Sequence, residues 1–478
     1  MTTLARAIRL TAVAGALGFA LLGFQTECSR NDLVEVSSSS STSALSNINR
    51  GDQARTGVYP DDGADLSIAN LSDQKFRRYK SYTVDGPVYA QPLVIPNVPL
   101  AAFGTRNVLL VATTKNNLYA FDADHPERDP FWTIGSSPSA FGTPPNIGKG
   151  APDGDPSINC ANIGFEGILS TPALDGNTAY VVASRISGTY QNPGTYTFLL
   201  YSIDLTTGAL HTISTNPNGI TATVQGHLGP ITFDPHVQIQ RPALTVVTRG
   251  ANKYILIAFS SSCDAPNPFY GWLFSYDVTN PNGTDPNYAG VWNDTSSNTD
   301  SVGTYAQGGI WMSGMGPTVD DSGNVYLVTG NGDYFAPNNG VYSDSAVKLT
   351  IDANTGAIAV ASSFTPFNQH DLQLNDLDLG VGGLSWIRSA NLLLGGSKEG
   401  KLYLLDANNL GGYNGPSGPD NVLSEIQGTC DQFGPKSGQS GLCALADGAP
   451  AYPALAQPAN CQGNIIQPAG DAGINPTD

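Results

Sequence analysis

Apolar and β-branched residues in the stretch Asn107 to Asp124, NVLLVATTKNNLYAFDAD, fall into two short runs separated by Lys115, Asn116 and Asn117. Runs this short, apolar at most positions, suit strands covered on both faces, and the Lys-Asn-Asn step supplies turn chemistry between them. The stretch therefore predicts a hairpin. Asp122 closes its second strand, where a short carboxylate accepts backbone N–H groups at a turn. The same placement returns at Asp204, Asp277, Asp352 and Asp406.

The pattern repeats as whole units. The first places an inner strand at Tyr89 to Ile95, then the hairpin, then an outer strand near Phe131 to Ile134. The second reads ILSTPALD, TAYVVASR and TFLLYSIDL, with a turn at Thr206 to Gly208. The third reads QRPALTVV, KYILIAFS, WLFSYDV and AGVWND, and the fourth MSGMGPTVD, NVYLVTG, DSAVKLTI and AIAVASSF. The fifth reads GLSWI, NLLLGGS, KLYLLDA and NVLSEI. Pro92, Pro172, Pro242 and Pro317 mark the inner strands at intervals of about 70 to 80 residues, the size of a four-stranded sheet with long loops. Four-stranded antiparallel units at that spacing bury their faces by packing radially, so the expected fold is an all-β propeller; a β-sandwich is the alternative. Phe76 to Val84 reads as a further lone strand without a local partner. After Tyr413 no further unit is legible, so five units and one strand leave the ring incomplete, through missing C-terminal blades or an unusual tail.

Composition narrows the class further. An internal repeat makes the 478 residues one large domain, and 54 Gly with 33 Pro fits many turns. The net charge of −18 opposes a nucleic-acid partner, because neutralising phosphates requires clustered Lys and Arg. Arg6 and Arg9 precede an apolar run of about 15 residues, short for a membrane span and right for an export signal, with an uncleaved anchor as the alternative. The expected division is a signal at 1–27, a Ser-rich spacer at 28–48, the propeller at 49–427 and an irregular tail at 428–478. That places the chain outside the cytoplasm, in the periplasm, the cell envelope or the medium, with no membrane span once the signal is removed. The 6 cysteines show no CxxC or vicinal pair, which removes zinc and dithiol redox signatures.

LYAFDAD, LYSIDLTTG and LYLLDAN, each after a strand and a glycine-tolerant turn, resemble the pyrroloquinoline-quinone-like repeat of quinoprotein alcohol dehydrogenases and their non-enzymatic relatives. CANIGFEGILSTPALD, GGIWMSGMGP, GNVYLVTGNGDY and DLDLGVGG are similar to a secreted subfamily of such propellers whose role is poorly defined. The resemblance spans roughly Asn49 to Gly412. It implies a propeller, and it admits three functions: a binding or scaffold module, a quinone-dependent dehydrogenase acting on an alcohol or sugar, or a protein-assembly platform at the cell envelope.

Because strands alternate direction, Ser136 to Gly167, Ile186 to Tyr196, Ser261 to Gly271, Asn331 to Ser343 and Phe367 to Gly380 are expected to crown one face, where function belongs. Cys160 and Cys263 lie in two of these loops from successive units, which makes a disulfide between them geometrically plausible. Counting back from the ruler prolines gives Glu166, His236 and Trp311. With Gln91, Arg241, Asp376 and Asp378, these form the candidate axial site for a small polar ligand, unless a protein partner uses the loops instead. The alternative is that Glu166 and Arg241 pair and Trp311 fills the core. A quinoprotein enzyme would also need pyrroloquinoline quinone on an aromatic floor, with Ca²⁺, for which Asp376 and Asp378 are the candidates. The lid in those dehydrogenases is a disulfide between adjacent cysteines, which this chain lacks. A binding or scaffold role without redox chemistry is the expected one.

Overall fold

Five antiparallel sheets succeed one another along the chain, each laid down from its first strand outward. They are seen in a computed structural model that describes residues 48–58, 81–148, 163–190, 192–214, 216, 218–227, 229–261, 269–280, 288–296, 307–332, 340–417, 419–420 and 422–427. All of these belong to one unit, Ser40–Ala449; the other, Met1–Ser39 with Pro450–Asp478, lies outside the described residues. So do the expected signal, all six cysteines and hence the Cys160–Cys263 bridge.

The first sheet is β1 (Leu93–Leu100), β2 (Gly104–Ala112), β3 (Leu118–Asp122) and β4 (Trp132–Ile134). The second is β5 (Ala173–Asp175), β6 (Thr178–Ile186), β7 (Tyr196–Asp204) and β8 (Ala209–Thr212). A separate hairpin, β9 (Thr223–Gly226) and β10 (Gly229–Thr232), precedes the third. That sheet holds β11 (Gln238–Ile239), β12 (Thr245–Arg249), β13 (Asn252–Ser261), β14 (Trp272–Asp277) and β15 (Tyr288–Asn293), with both β11 and β12 paired to β13. The fourth is β16 (Thr318–Val319), β17 (Val325–Val328), β18 (Ala346–Ile351) and β19 (Ile358–Phe364). A short helix α1 (Gln369–Leu374) and a 3-10 turn (Leu379–Val381) lead into the fifth: β20 (Leu384–Ile387), β21 (Leu392–Gly396), β22 (Lys401–Asp406) and β23 (Ser424–Gln427).

This is the succession of four-stranded sheets that the repeat predicts, with β11 as a fifth strand in the third. Apolar clusters join the sheets in chain order. One packs the first against the second, another the second against the third, and a third runs from the third through the fifth. Central strands are therefore covered on both faces: β7 is buried from Tyr196 to Ile203, and β13 from Tyr254 to Ser261. The outer strand β19 keeps an alternating half-exposed face. Each repeated aspartate caps its turn as expected, accepting backbone N–H from Asp124, Thr206, Thr279, Asn354 and Asn408 respectively.

The Phe367 to Gly380 loop carries α1, and the β9–β10 hairpin lies in a stretch to which the repeat assigned no element. Conversely, Ser81 to Val84, the described end of the expected lone strand, is not in a strand, and the Tyr82 hydroxyl donates instead to the Asp122 carbonyl at 3.0 Å.

The polar segment 48–58 lies across the first strands, or their approaches, of all five sheets. Asn49 donates to Gln91 Oε1 and Thr171 Oγ1, each at 3.3 Å, and Gln53 Nε2 donates to the Val246 carbonyl at 3.1 Å. Val319 N donates to Gln53 O, and Trp386 N to Ala54 O, each at 2.9 Å. Arg55 is fully buried, donating to the carbonyls of Asn49 and Pro317 and to Thr245 Oγ1. Burial pulls its guanidinium down to about 10, with Asp52 opposing, so it stays charged at neutral pH. Arg50 and Arg55 hold left-handed backbone, φ 59° and 56°, which a non-glycine residue keeps only where its surroundings fix it.

Candidate functional site at the long-loop end

Strand order puts the connections β4 to β5, β6 to β7, β13 to β14, β17 to β18 and β19 to β20 at the same end of their sheets. These are the five long loops. Their central parts, 149–162, 262–268 and 333–339, lie outside the described residues.

An apolar cluster of Ile147, Ile163, Leu169, Ile186, Tyr196 and Ile239 gathers at this end, with Tyr190 and Trp311 packed against it. Three candidate residues meet it. Trp311 does so directly. His236 packs its ring on Tyr196, centroids 4.6 Å apart, and Phe165, next to Glu166, packs on Tyr190 at 5.7 Å. Trp311 in turn shares Gly330 with Asp378. A side chain at that glycine would place its Cβ 3.4 Å from Trp311 Cδ1 and 3.5 Å from Asp378 Oδ1.

Gln91 and Arg241 are engaged elsewhere. Gln91 accepts from Arg50 N at 3.1 Å as well as from Asn49, which ties it to the 48–58 segment. The Arg241 guanidinium lies over the Tyr89 ring at 5.7 Å, joining the approaches to the third and first sheets, and burial lowers its pKa. Glu166 is 1% exposed, and neither carboxyl oxygen has a hydrogen-bond partner among the described residues. Arg241 thus does not pair with it. Burial alone pushes Glu166 well above the usual carboxylate range.

Asp376 and Asp378 come together through Lys398, whose ammonium bonds both, reaching Asp376 Oδ1 at 2.9 Å. Asn331 donates to the same pair, through N to Asp378 and Nδ2 to Asp376, each at 2.9 Å. This arrangement does not fit a calcium ion. The two carboxylates face an ammonium and two N–H groups, so a dication would have to displace a cation already bonded to both. Among the described residues no group of three His, Cys, Asp or Glu is placed to hold a metal.

Two further carboxyls tie the loops together. Asp294 accepts from Gly271 N at 2.8 Å and Gly309 N at 3.0 Å, and Asp344 accepts from Gln369 Nε2 at 3.1 Å and Leu379 N at 3.2 Å. Burial raises Asp294 to about 7 against its N–H donors, and burial with the nearby charge of Asp378 raises Asp344 to about 8. Sequence reasoning missed Asn331, Lys398, Asp294 and Asp344. Counting back from inner strands samples one position per approach: Asn331, Asp344 and Lys398 sit in other connections, and Asp294 lies in the same connection as Trp311 but farther from the inner strand. The GNGDY motif did contain Asn331.

No protein-family model and no curated protein matches the sequence. Among solved structures the chain is similar to the quinohemoprotein alcohol dehydrogenase from Comamonas testosteroni: 14% identity, TM-score 0.45, covering 80% of this chain and 49% of that one. It is also similar to a europium-containing methanol dehydrogenase: 12% identity, TM-score 0.46, covering 77% and 57%. A third is BamB from Moraxella catarrhalis: 13% identity, TM-score 0.34, covering 72% and 66%. The chain thus matches about half the length of the first two.

Proposed function

We propose that this is an exported propeller that binds a small polar ligand at the long-loop end, without redox chemistry of its own. The observation that carries this reading is Lys398 held between Asp376 and Asp378 beside Trp311. An indole face, fixed charges of both signs and the His236 imidazole are the elements that bind a polar, partly apolar molecule by stacking and hydrogen bonds. The same ammonium stands where a quinone-dependent dehydrogenase built on these aspartates would need its cation, which argues against the enzyme reading. Glu166 joins the proposed site through its neighbour Phe165, which packs on Tyr190, whereas Gln91 and Arg241, bonded to the 48–58 segment and laid over Tyr89, stand outside it.

Thermal unfolding of the full chain against a panel of monosaccharides, disaccharides and free amino acids tests this. Stabilisation by one class that disappears in Trp311→Ala and His236→Ala supports the reading. A panel without any effect removes the small-ligand reading and leaves a protein partner on the loops. Turnover of an alcohol or sugar after reconstitution with pyrroloquinoline quinone and Ca²⁺ overturns it in favour of the dehydrogenase.

A further inference from the structure

The inner ends of the first and second sheets hold a set of polar groups that nothing among the described residues satisfies. Both oxygens of Glu166, the amide oxygen of Asn116 and the hydroxyls of Thr114 and Ser184 are buried without a hydrogen-bond partner. Their residues are at most 1% exposed. Buried polar groups left in this state cost several kcal/mol together, and a lone buried carboxylate costs the most.

The three segments that carry them are bonded to one another. The β2–β3 turn bearing Thr114 and Asn116 meets the approach to β5 through Gly167 N to Thr114 O at 2.8 Å and Ile168 N to Thr113 O at 3.3 Å. The end of β6 joins through Ser184 N to Gly167 O at 3.4 Å, and Asn116 Nδ2 donates back to Ser184 O at 2.7 Å. Gly167 lets this approach happen: a Cβ there would sit 2.4 Å from Thr114 O and 2.6 Å from Asn116 Oδ1. The amide of Asn116 is fixed by its two donated bonds, to Gly142 O and Ser184 O, so the oxygen that remains is an acceptor.

We propose that these oxygens form a buried site for a monovalent metal cation, Na⁺ or K⁺, anchored by Glu166 between the first and second sheets. A donor set made only of oxygen selects a hard cation over a transition metal. Charge then sets the valence. One carboxylate among neutral oxygens balances one positive charge, whereas a dication would leave a net charge in the low-dielectric interior. The site shares Glu166 with the proposed ligand pocket but does not depend on that pocket's ligand.

The test is thermal unfolding of the full chain at constant ionic strength, replacing choline chloride stepwise with NaCl, KCl or CaCl₂. The expected result is a saturable rise in Tm with NaCl or KCl over choline, the more effective ion identifying the occupant. Glu166→Gln abolishes that response. Ser184→Ala, a milder change that keeps the fold if Glu166→Gln does not, raises the half-saturating concentration about tenfold, equivalent to the loss of one ligand of about 1.4 kcal/mol. Trp311→Ala leaves the ion response intact, which separates this site from the ligand pocket. Equal Tm in sodium, potassium and choline overturns the proposal, and so does stabilisation by CaCl₂ alone. An unchanged half-saturation in Ser184→Ala, or an ion response that survives Glu166→Gln, overturns it as well.

Discussion

Arg55 reaches Thr245 across 190 residues of chain, its Nη2 donating to Oγ1 at 2.7 Å. The same guanidinium bonds the Pro317 carbonyl at 3.3 Å, so one buried side chain links the third sheet to the approach of the fourth. Arg55→Met keeps much of the stem and removes every donor, leaving the Asn49 carbonyl unsatisfied at a cost of about 1–3 kcal/mol, while Pro317 O keeps its bond from Thr245 Oγ1 and loses only the second donor. A loss of about 3 kcal/mol is expected in urea unfolding, and a loss under 1 kcal/mol would deny the link its importance.

Lys398→Met strips the shared ammonium from Asp376 and Asp378. Asp378 is 7% exposed and would be left with a single N–H donor, whereas Asp376 at 68% is solvated and loses little. Breaking a buried pair costs about 3–5 kcal/mol, and the 35% exposure of Lys398 brings the expectation to about 2 kcal/mol. The double variant with Asp378→Asn should recover at least half of it.

Asp294 and Asp344 set a pH dependence whose sign follows from their raised pKa values, about 7 and about 8 against an ordinary 3.8. The folded chain holds protons that the unfolded chain has already released, so their contribution is complete below about pH 4. It is lost as pH rises through 7 and then 8. The urea midpoint should fall from pH 5.5 to pH 8.5, and Asp344→Asn should flatten the upper part of that fall. Gln369 Oε1 has no partner and can turn to accept the new amide N–H. A midpoint that rises over this range contradicts the assignment.

Gly380 packs so closely on the Thr329 carbonyl that a Cβ would lie 2.5 Å from it, with no flexible side chain to give way. Gly380→Ala should therefore shift the loop carrying Asp376 and Asp378 and lower stability by about 2 kcal/mol. Gly382→Ala nearby, where a Cβ meets nothing within 4 Å, should be nearly neutral and serves as the control.

The sheets were legible because each rests on local chemistry: short apolar runs, a turn, and an aspartate such as Asp204 that accepts from an N–H two residues away and a hydroxyl three residues away. The β9–β10 hairpin escaped because only Val224 and Ile231 turn to the core between the exposed Thr223, Gln225 and Thr232, too few apolar positions to register as a strand. α1 is too short for a 3.6-residue period to register. Of the candidate residues, Trp311 and Asp378 both border Gly330, but Lys398 was invisible, since it enters from the turn between β21 and β22. Arg55 was illegible for the same reason: its partners are carbonyls and a hydroxyl far along the chain, and such bonds leave no pattern of residue types.

Residues 48–58 are made before any of the sheets they cross. Their bonds to Val319 and Trp386 require the fourth and fifth sheets to be in place, so during synthesis this stretch waits with its arginines in water while more than three hundred residues follow it. Among the described residues, the segment made earliest has contacts that are complete only once the fifth sheet exists, and those contacts make separate sheets answer to one another.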